Sequence, residues 1–191
     1  MIGGDFTINP PANLPVDTES LRRAMMAGGQ RVVDDITDYY AMKDGDEPNR
    51  FVAHGEGGRR VHFWKQVGDS ITGPTMQDDG SVVVEITDPR IRQKVLGGEI
   101  RAKNVRYLTI PVNPMAYARK AAELFSLVGK LFVLRLKDGR KFLAARNEDG
   151  ITFFYRLKSW VIQRPWPGAI PTRKFVADSF RSGMRYYLRH N

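Results

Sequence analysis

The chain has no cysteine among its 191 residues. That excludes disulfide staples, thiolate metal ligands and cysteine nucleophiles together. Nor does it contain an apolar run near the roughly 20 residues that a membrane helix requires, so a soluble chain is expected. The opening, MIGGDFTINPPANLPVD, lacks both the basic and the apolar segment of a secretory leader, and no leader is expected there. Histidine is scarce. His54, His62 and His190 lie far apart and lack metal-ligand spacing. No serine sits in a G-x-S-x-G turn. Gly129-Lys130 lacks the rest of a phosphate-binding loop, and Gly55, Gly57 and Gly58 have neither a preceding strand nor a following Lys-Ser or Lys-Thr. Asp88 lies among basic residues in DPRIRQK, a mixture that nucleases use. Residues 91–191 hold only six carboxylates, however, too few to build the converging set of a metal nuclease. No enzymatic activity, metal or cofactor is expected.

What the chain does have is a lopsided charge. The total is +9, yet residues 1–90 sum to −6 and residues 91–191 to +15. Such asymmetry points to binding of nucleic acid or another polyanion, or to self-association in which the acidic part of one copy meets the basic part of the next. A solvated face with no partner is the third reading. Hydrophobic residues make up 42% of the chain, enough for a folded core.

The pattern along the chain predicts an α+β fold: an antiparallel sheet of about five to six strands, covered by a long N-terminal helix and further helices. Residues 1–16, with Gly3, Gly4, Pro10, Pro11 and Pro15, read as an extended arm, and 17–191 as a single domain. Asp17 or Thr18 can cap a helix running to about Lys43, with Leu21, Met25, Val32, Ile36 and Tyr40 on its apolar face. Gly28 and Gly29 interrupt that face and mark either a kink or a close packing contact. A short helix is expected in RRVHFWKQVGDSI, with Val61, Trp64, Val67 and Ile71 inward. ITGPTMQ and SVVVEIT around DDG predict a hairpin, DPRIRQKVLGG a bend with one helical turn, and RYLTIPV a half-buried strand. NPMAYARKAAELFSL predicts one capped helix with Asn113 as N-cap. KDGR and NEDG divide the next stretch into three strands. The last segment predicts a helix with Val176, Phe180, Met184 and Leu188 on one face and Arg181, Arg185 and Arg189 on another.

One block of this chain resembles a known family. Residues Gly97, Gly98 and Ile100, then Arg101 and Lys103, then Leu108, Ile110 and Pro111 follow a Gly-Gly-x-Ile, basic, Leu-x-Ile-Pro order. After them come LFVLRLKDG, LKSWVIQRPW and a terminal helix. That order is similar to virion morphogenesis proteins of tailed bacteriophages, also described as minor tail, neck or tail-completion proteins, over roughly residues 60–180. Trp160 interrupts the Lys-Ser-Val run of the pattern, and PGAIPT separates Arg-Pro-Trp from the helix. The resemblance implies a structural virion protein at the head-to-tail junction or the top of the tail, built into a homo-oligomeric ring, without catalysis or cofactor. Its implied partners are copies of itself and neighbouring tail or neck proteins such as a tail terminator or connector, with non-specific contact to DNA and no membrane.

On this reading Arg101, Lys103, Arg106, Arg181, Arg185 and Arg189 are interface residues, chosen for clustering without nearby acids, and Gly97 and Gly98 form a hinge. The arm at 1–16 and the loop at 44–60 are expected to contact neighbours. The competing expectation is a non-enzymatic nucleic-acid-binding module that uses the basic C-terminal half, with Tyr186, Tyr187 and Trp160 interleaved among the cations.

Overall fold

Asp17 starts the first helix. In a computed structural model its carboxylate accepts the backbone N–H groups of Glu19 (3.0 Å) and Ser20 (2.9 Å), satisfying two donors that a helix start leaves free. The structure describes residues 6–8, 17–46, 51, 55–56, 60–148 and 150–191. Helix α1 runs over Thr18–Asp46, one turn beyond the expected end. The fold is mixed α+β with antiparallel sheets, as the pattern predicts. The expected single sheet of five to six strands is instead, among the described residues, three separate sheets, none larger than four strands. The expected single domain over 17–191 resolves into two compact units: Met1–Asp46, His62–Gly97 and Arg164–Asn191 form the first, and Glu47–Val61 with Gly98–Gln163 the second.

The first unit adds to α1 helices α2 (Phe63–Gly68), α3 (Arg90–Leu96) and α5 (Arg173–His190), and strands β1 (Phe6–Ile8), β2 (Ile71–Met76) and β3 (Val82–Ile86) in the order β1-β3-β2. Its core gathers Met25, Val32, Ile36 and Tyr40 of α1, Trp64 and Val67 of α2, Val82, Val84 and Ile86 of β3, and Val176, Phe180 and Met184 of α5. Leu188, expected on that face, is 37% exposed because the helix runs past the core near its end. Strand β1 gives part of the expected arm to a sheet of its own chain, and the rest of the arm lies outside the described residues. The short helix starts later than expected because His62 takes a left-handed conformation (φ 51°), so Val61 precedes the helix and Ile71 belongs to β2. Residues 90–96, expected as a bend with one helical turn, form a seven-residue helix of about two turns.

Gly28 and Gly29 mark close packing. A Cβ on Gly28 would stand 2.9 Å from both the Phe180 ring and the Phe180 carbonyl, and one on Gly29 would stand 2.6 Å from Pro74. On the facing helix, Gly183 lies so near that its Cβ would meet the Ala27 carbonyl at 2.6 Å. Two tyrosines next to each other on α1 fasten the loop before α5. Tyr39 and Tyr40 donate their hydroxyls to the Gly168 and Ala169 carbonyls at 2.7 and 2.8 Å, and burial pushes the Tyr40 phenol pKa far up.

The second unit holds a sheet in the order β5-β8-β7-β6, from β5 (Leu108–Pro111), β6 (Leu131–Arg135), β7 (Lys141–Asn147) and β8 (Gly150–Lys158), and a two-stranded ribbon of β4 (Gly98–Arg101) and β9 (Trp160–Gln163). A register shift between Leu143 and Ala144 lets β8 bury two successive residues, Phe154 and Tyr155. They pack with Ala116, Ala145 and Leu124. Leu124 belongs to α4 (Ala121–Val128). The expected single helix from Asn113 is divided. Asn113 caps only a 3-10 turn, Pro114–Ala116, and Ala118 at φ 55° breaks the path before α4 begins. Beyond the three expected strands the chain makes a fourth, β9, which pairs with β4 instead of joining the main sheet. Among the described residues no helix is long and apolar enough to cross a membrane.

Candidate functional site

Two unlike charge distributions follow from this division of the chain. The first unit holds fourteen basic and fourteen acidic residues, and the second sixteen basic and seven acidic. The whole net charge of +9 therefore belongs to the second unit. The half-and-half split read along the sequence hid this, because the cationic terminal helix α5 belongs to the first unit, where the acids of α1 balance it. Asp34 and Asp38 lie on the exposed face of α1, and Asp35 pairs with Arg31 at 3.0 Å.

The Gly-Gly step is one of the four places where the chain passes from one unit to the other. Gly97 ends α3 at φ 65°, its N–H bonded to the Gln93 carbonyl at 3.0 Å and its carbonyl held by the Gln93 side chain at 2.9 Å. Gly98 at φ 111° then opens β4. Both values suit glycine. Of the three basic residues that follow, Arg101 closes β4 opposite Trp160, while Lys103 and Arg106 stand exposed in the loop to β5. Arg101 is not free of acids: its guanidinium meets Glu99 at 2.5 Å along the same strand face. Arg106 lies over the Tyr107 ring at 5.4 Å.

On α5, Arg181, Arg185 and Arg189 share one exposed face and line a shallow surface groove with Tyr186 and His190, whose rings stack at 4.3 Å. Here too an acid intervenes. Asp178 lies 3.3 Å from Arg181 and 2.5 Å from Lys174, and these cations, Lys174 first, hold its carboxyl below the ordinary range. The basic stripe is real, but the reason for choosing it, an absence of neighbouring acids, fails for Arg181 as it does for Arg101.

A third basic surface was missed. At one end of the main sheet of the second unit a groove of about 540 Å³ is lined by Tyr107, Arg140, Lys141, Arg156, Lys158 and Trp160. Lys141 donates to the Tyr107 hydroxyl at 2.7 Å and lies 4.9 Å from the ring centre. That hydrogen bond, with the nearby charges of Arg106 and Lys141, holds the Tyr107 phenol below its usual pKa. The one acid in the lining, Asp138, is bound by Arg140 at 2.6 Å. The sequence signal was alternation: Arg156 and Lys158 are two apart on β8 and so share a face. The loop carrying Tyr107 is distant in sequence, and only the β5–β8 pairing brings it there.

Asp88 and His62 each have a partner of their own. Asp88 is buried and gripped by the guanidinium and backbone N–H of Arg90, which hold its carboxyl below the ordinary range. The His62 imidazole contacts the Asp44 carboxylate at 2.8 Å. Among the described residues no group of three or more His, Asp or Glu side chains could hold a metal ion. Gly57, Gly58 and His54 lie outside the described residues, as does most of the loop at 44–60. Compared with protein-family models, with curated proteins and with solved structures, the chain matches none.

Proposed function

We infer that this chain is a structural, non-catalytic component of a tailed-bacteriophage-type virion, acting at the head-to-tail junction or the top of the tail by closing into a ring with copies of itself. Neighbouring tail or neck proteins, such as a terminator or connector, would seat against that ring, and the Gly97-Gly98 step would act as its hinge. The observation that carries this reading is the charge partition between the two compact units. A ring needs heterologous contacts, in which one patch meets a different, complementary patch on the next copy. A neutral unit with an acidic helix face, and a second unit with all of the net positive charge, supply two such patches. Exposed apolar side chains on the second unit add to it: Val105, Phe125, Leu127, Val133 and Ile162 each exceed half exposure. Arg101, Lys103, Arg106, Arg181, Arg185 and Arg189 are the polar contacts in this reading.

Light scattering over a concentration and salt series tests it, with electron microscopy of the low-salt sample. A ring-forming species that dissociates as salt rises is expected, and Arg101→Glu with Lys103→Glu should weaken it. A monodisperse monomer at millimolar concentration and low salt would sink the ring. Binding of nucleic acid is the second reading, and the excess cations of the second unit favour it.

A further inference from the structure

The groove at the end of the main sheet differs in kind from the two basic surfaces read in the sequence. It gathers at the end of the sheet four cations from three places, the β6–β7 turn, the start of β7 and the end of β8: Arg156 and Lys158 share one sheet face, Lys141 lies by the Tyr107 ring on the other, and Trp160 is at the rim. Arg140 and Lys141 lie at the turn, Arg156 and Lys158 on β8, Tyr107 just before β5, and Trp160 at the first position of β9. Trp160 is 47% exposed, a large apolar area for a folded chain to leave in water. Cations of this density repel one another, and only Asp138 among the lining residues offsets them. The arrangement is therefore suited to a polyanion that also presents flat apolar faces.

We propose that this groove binds single-stranded nucleic acid crossing the end of the sheet, with Arg156 and Lys158 on phosphates at one face, Lys141 on a phosphate at the other, and Tyr107 and Trp160 as stacking surfaces for bases. A strand with unpaired bases satisfies both halves of the lining, since every base has a face to stack and every phosphate a charge to place. Duplex DNA satisfies only the cationic half, because its bases are already stacked on one another. An acidic face of a second copy would also satisfy only that half. Recognition here is independent of base sequence, since the groove offers phosphate contacts and stacking. The proposal rests on the groove alone and does not need the ring.

Anisotropy of a labelled twenty-nucleotide oligo-dT, titrated with the full chain across a salt series, tests it. Each phosphate contact contributes about −0.7 to the slope of log K against log salt, so three contacts predict a slope of about −2. Lys158→Gln should lower that slope by about 0.7. Trp160→Ala should weaken binding by about tenfold and leave the slope unchanged, a separation that loss of folding cannot mimic. Arg185→Gln, on the other unit, should change neither, and a duplex of matched length should bind more weakly than the single strand. Equal affinity for duplex and single strand, or loss of binding with Arg185→Gln but not with Lys158→Gln, overturns the proposal. So does absence of binding at low salt. If Lys158→Gln abolishes self-association while oligo-dT never binds, the groove belongs to a contact between copies and the proposal is wrong.

Discussion

Replacing Gly183 with alanine sets two opposite effects against each other at one residue. Gly183 sits mid-helix in α5, where alanine is intrinsically better by about 1 kcal/mol. Its missing side chain is also where α1 and α5 touch. An added methyl would lie 2.6 Å from the Ala27 carbonyl oxygen, 2.8 Å from Arg31 Cβ and 2.9 Å from Gly28 Cα. Two of those three atoms are backbone, so no side-chain rotation relieves the clash and the helices must move apart. Phe180 and Met184, both buried along the same seam, lose contact as they separate. Overpacking of this kind costs about 1–3 kcal/mol, and a backbone clash belongs at the upper end. Subtracting the gain in propensity leaves a net loss of about 2 kcal/mol, or about 4–8 °C in melting temperature for a chain of this size. Gly45 provides the control. It is in α1 with nothing within 4 Å of its would-be Cβ, so Gly45→Ala should stabilise by up to about 1 kcal/mol. Thermal and urea unfolding of both variants measure the pair. If Gly183→Ala gains stability as Gly45→Ala does, the seam is not tight and the packing argument is refuted.

Asp88→Asn should lose about 1.5–3 kcal/mol at pH 7, the usual range for a hydrogen bond to a charged partner. Because Arg90 holds the Asp88 carboxyl below its ordinary value, the stability it contributes is complete above about pH 4 and disappears as pH falls through the lowered folded value. Urea midpoints of the two proteins should therefore converge in acid, and a constant gap would refute the assignment. Gly98→Ala forces a side chain onto φ 111° and should cost about 1–3 kcal/mol by denaturant unfolding, whereas an unchanged midpoint would show that the turn relaxes without strain.

The elements that depend on neighbours in sequence were legible. Asp17 reads as a helix start because its carboxylate needs only the next three residues, and Met25, Val32, Ile36 and Tyr40 repeat at the helical period for as long as α1 lasts. Asp138-Gly139 divides β6 from β7 for the same reason, and Gly150 at φ 123° opens β8. What failed was partner choice. Nothing local to Ser159 says that Trp160 will leave the main sheet and pair with Arg101, and that one switch turns an expected large sheet into a small sheet and a ribbon. His62 and Ala118 break expected helices through left-handed backbone angles, uncommon outside glycine, that no local pattern signals. The basic groove was only half legible: Arg156 and Lys158 share a face by alternation, but Lys141 and Tyr107 reach the same end of the sheet from the other face, and only the register of β5, β7 and β8 brings them there. In the C-terminal stripe the opposite held: i, i+4, i+8 spacing was enough to align three arginines, and the nearby Asp178 at i−3 from Arg181 was equally readable but overlooked.

Strand pairing sets Gly98 against Gln163, the first and last residues of the continuous segment that supplies most of the second unit. A segment of 66 residues whose ends are side by side behaves, for the chain that hosts it, like a hairpin turn of negligible span. Removing it and joining Gly97 to Arg164 through a few flexible residues would leave the host's path almost unaltered, since closure entropy grows only slowly with the length enclosed. The same adjacency makes the segment portable. Grafted into a surface loop of an unrelated protein, it would demand no wider gap than two paired strands already have, and it would carry its basic groove with it.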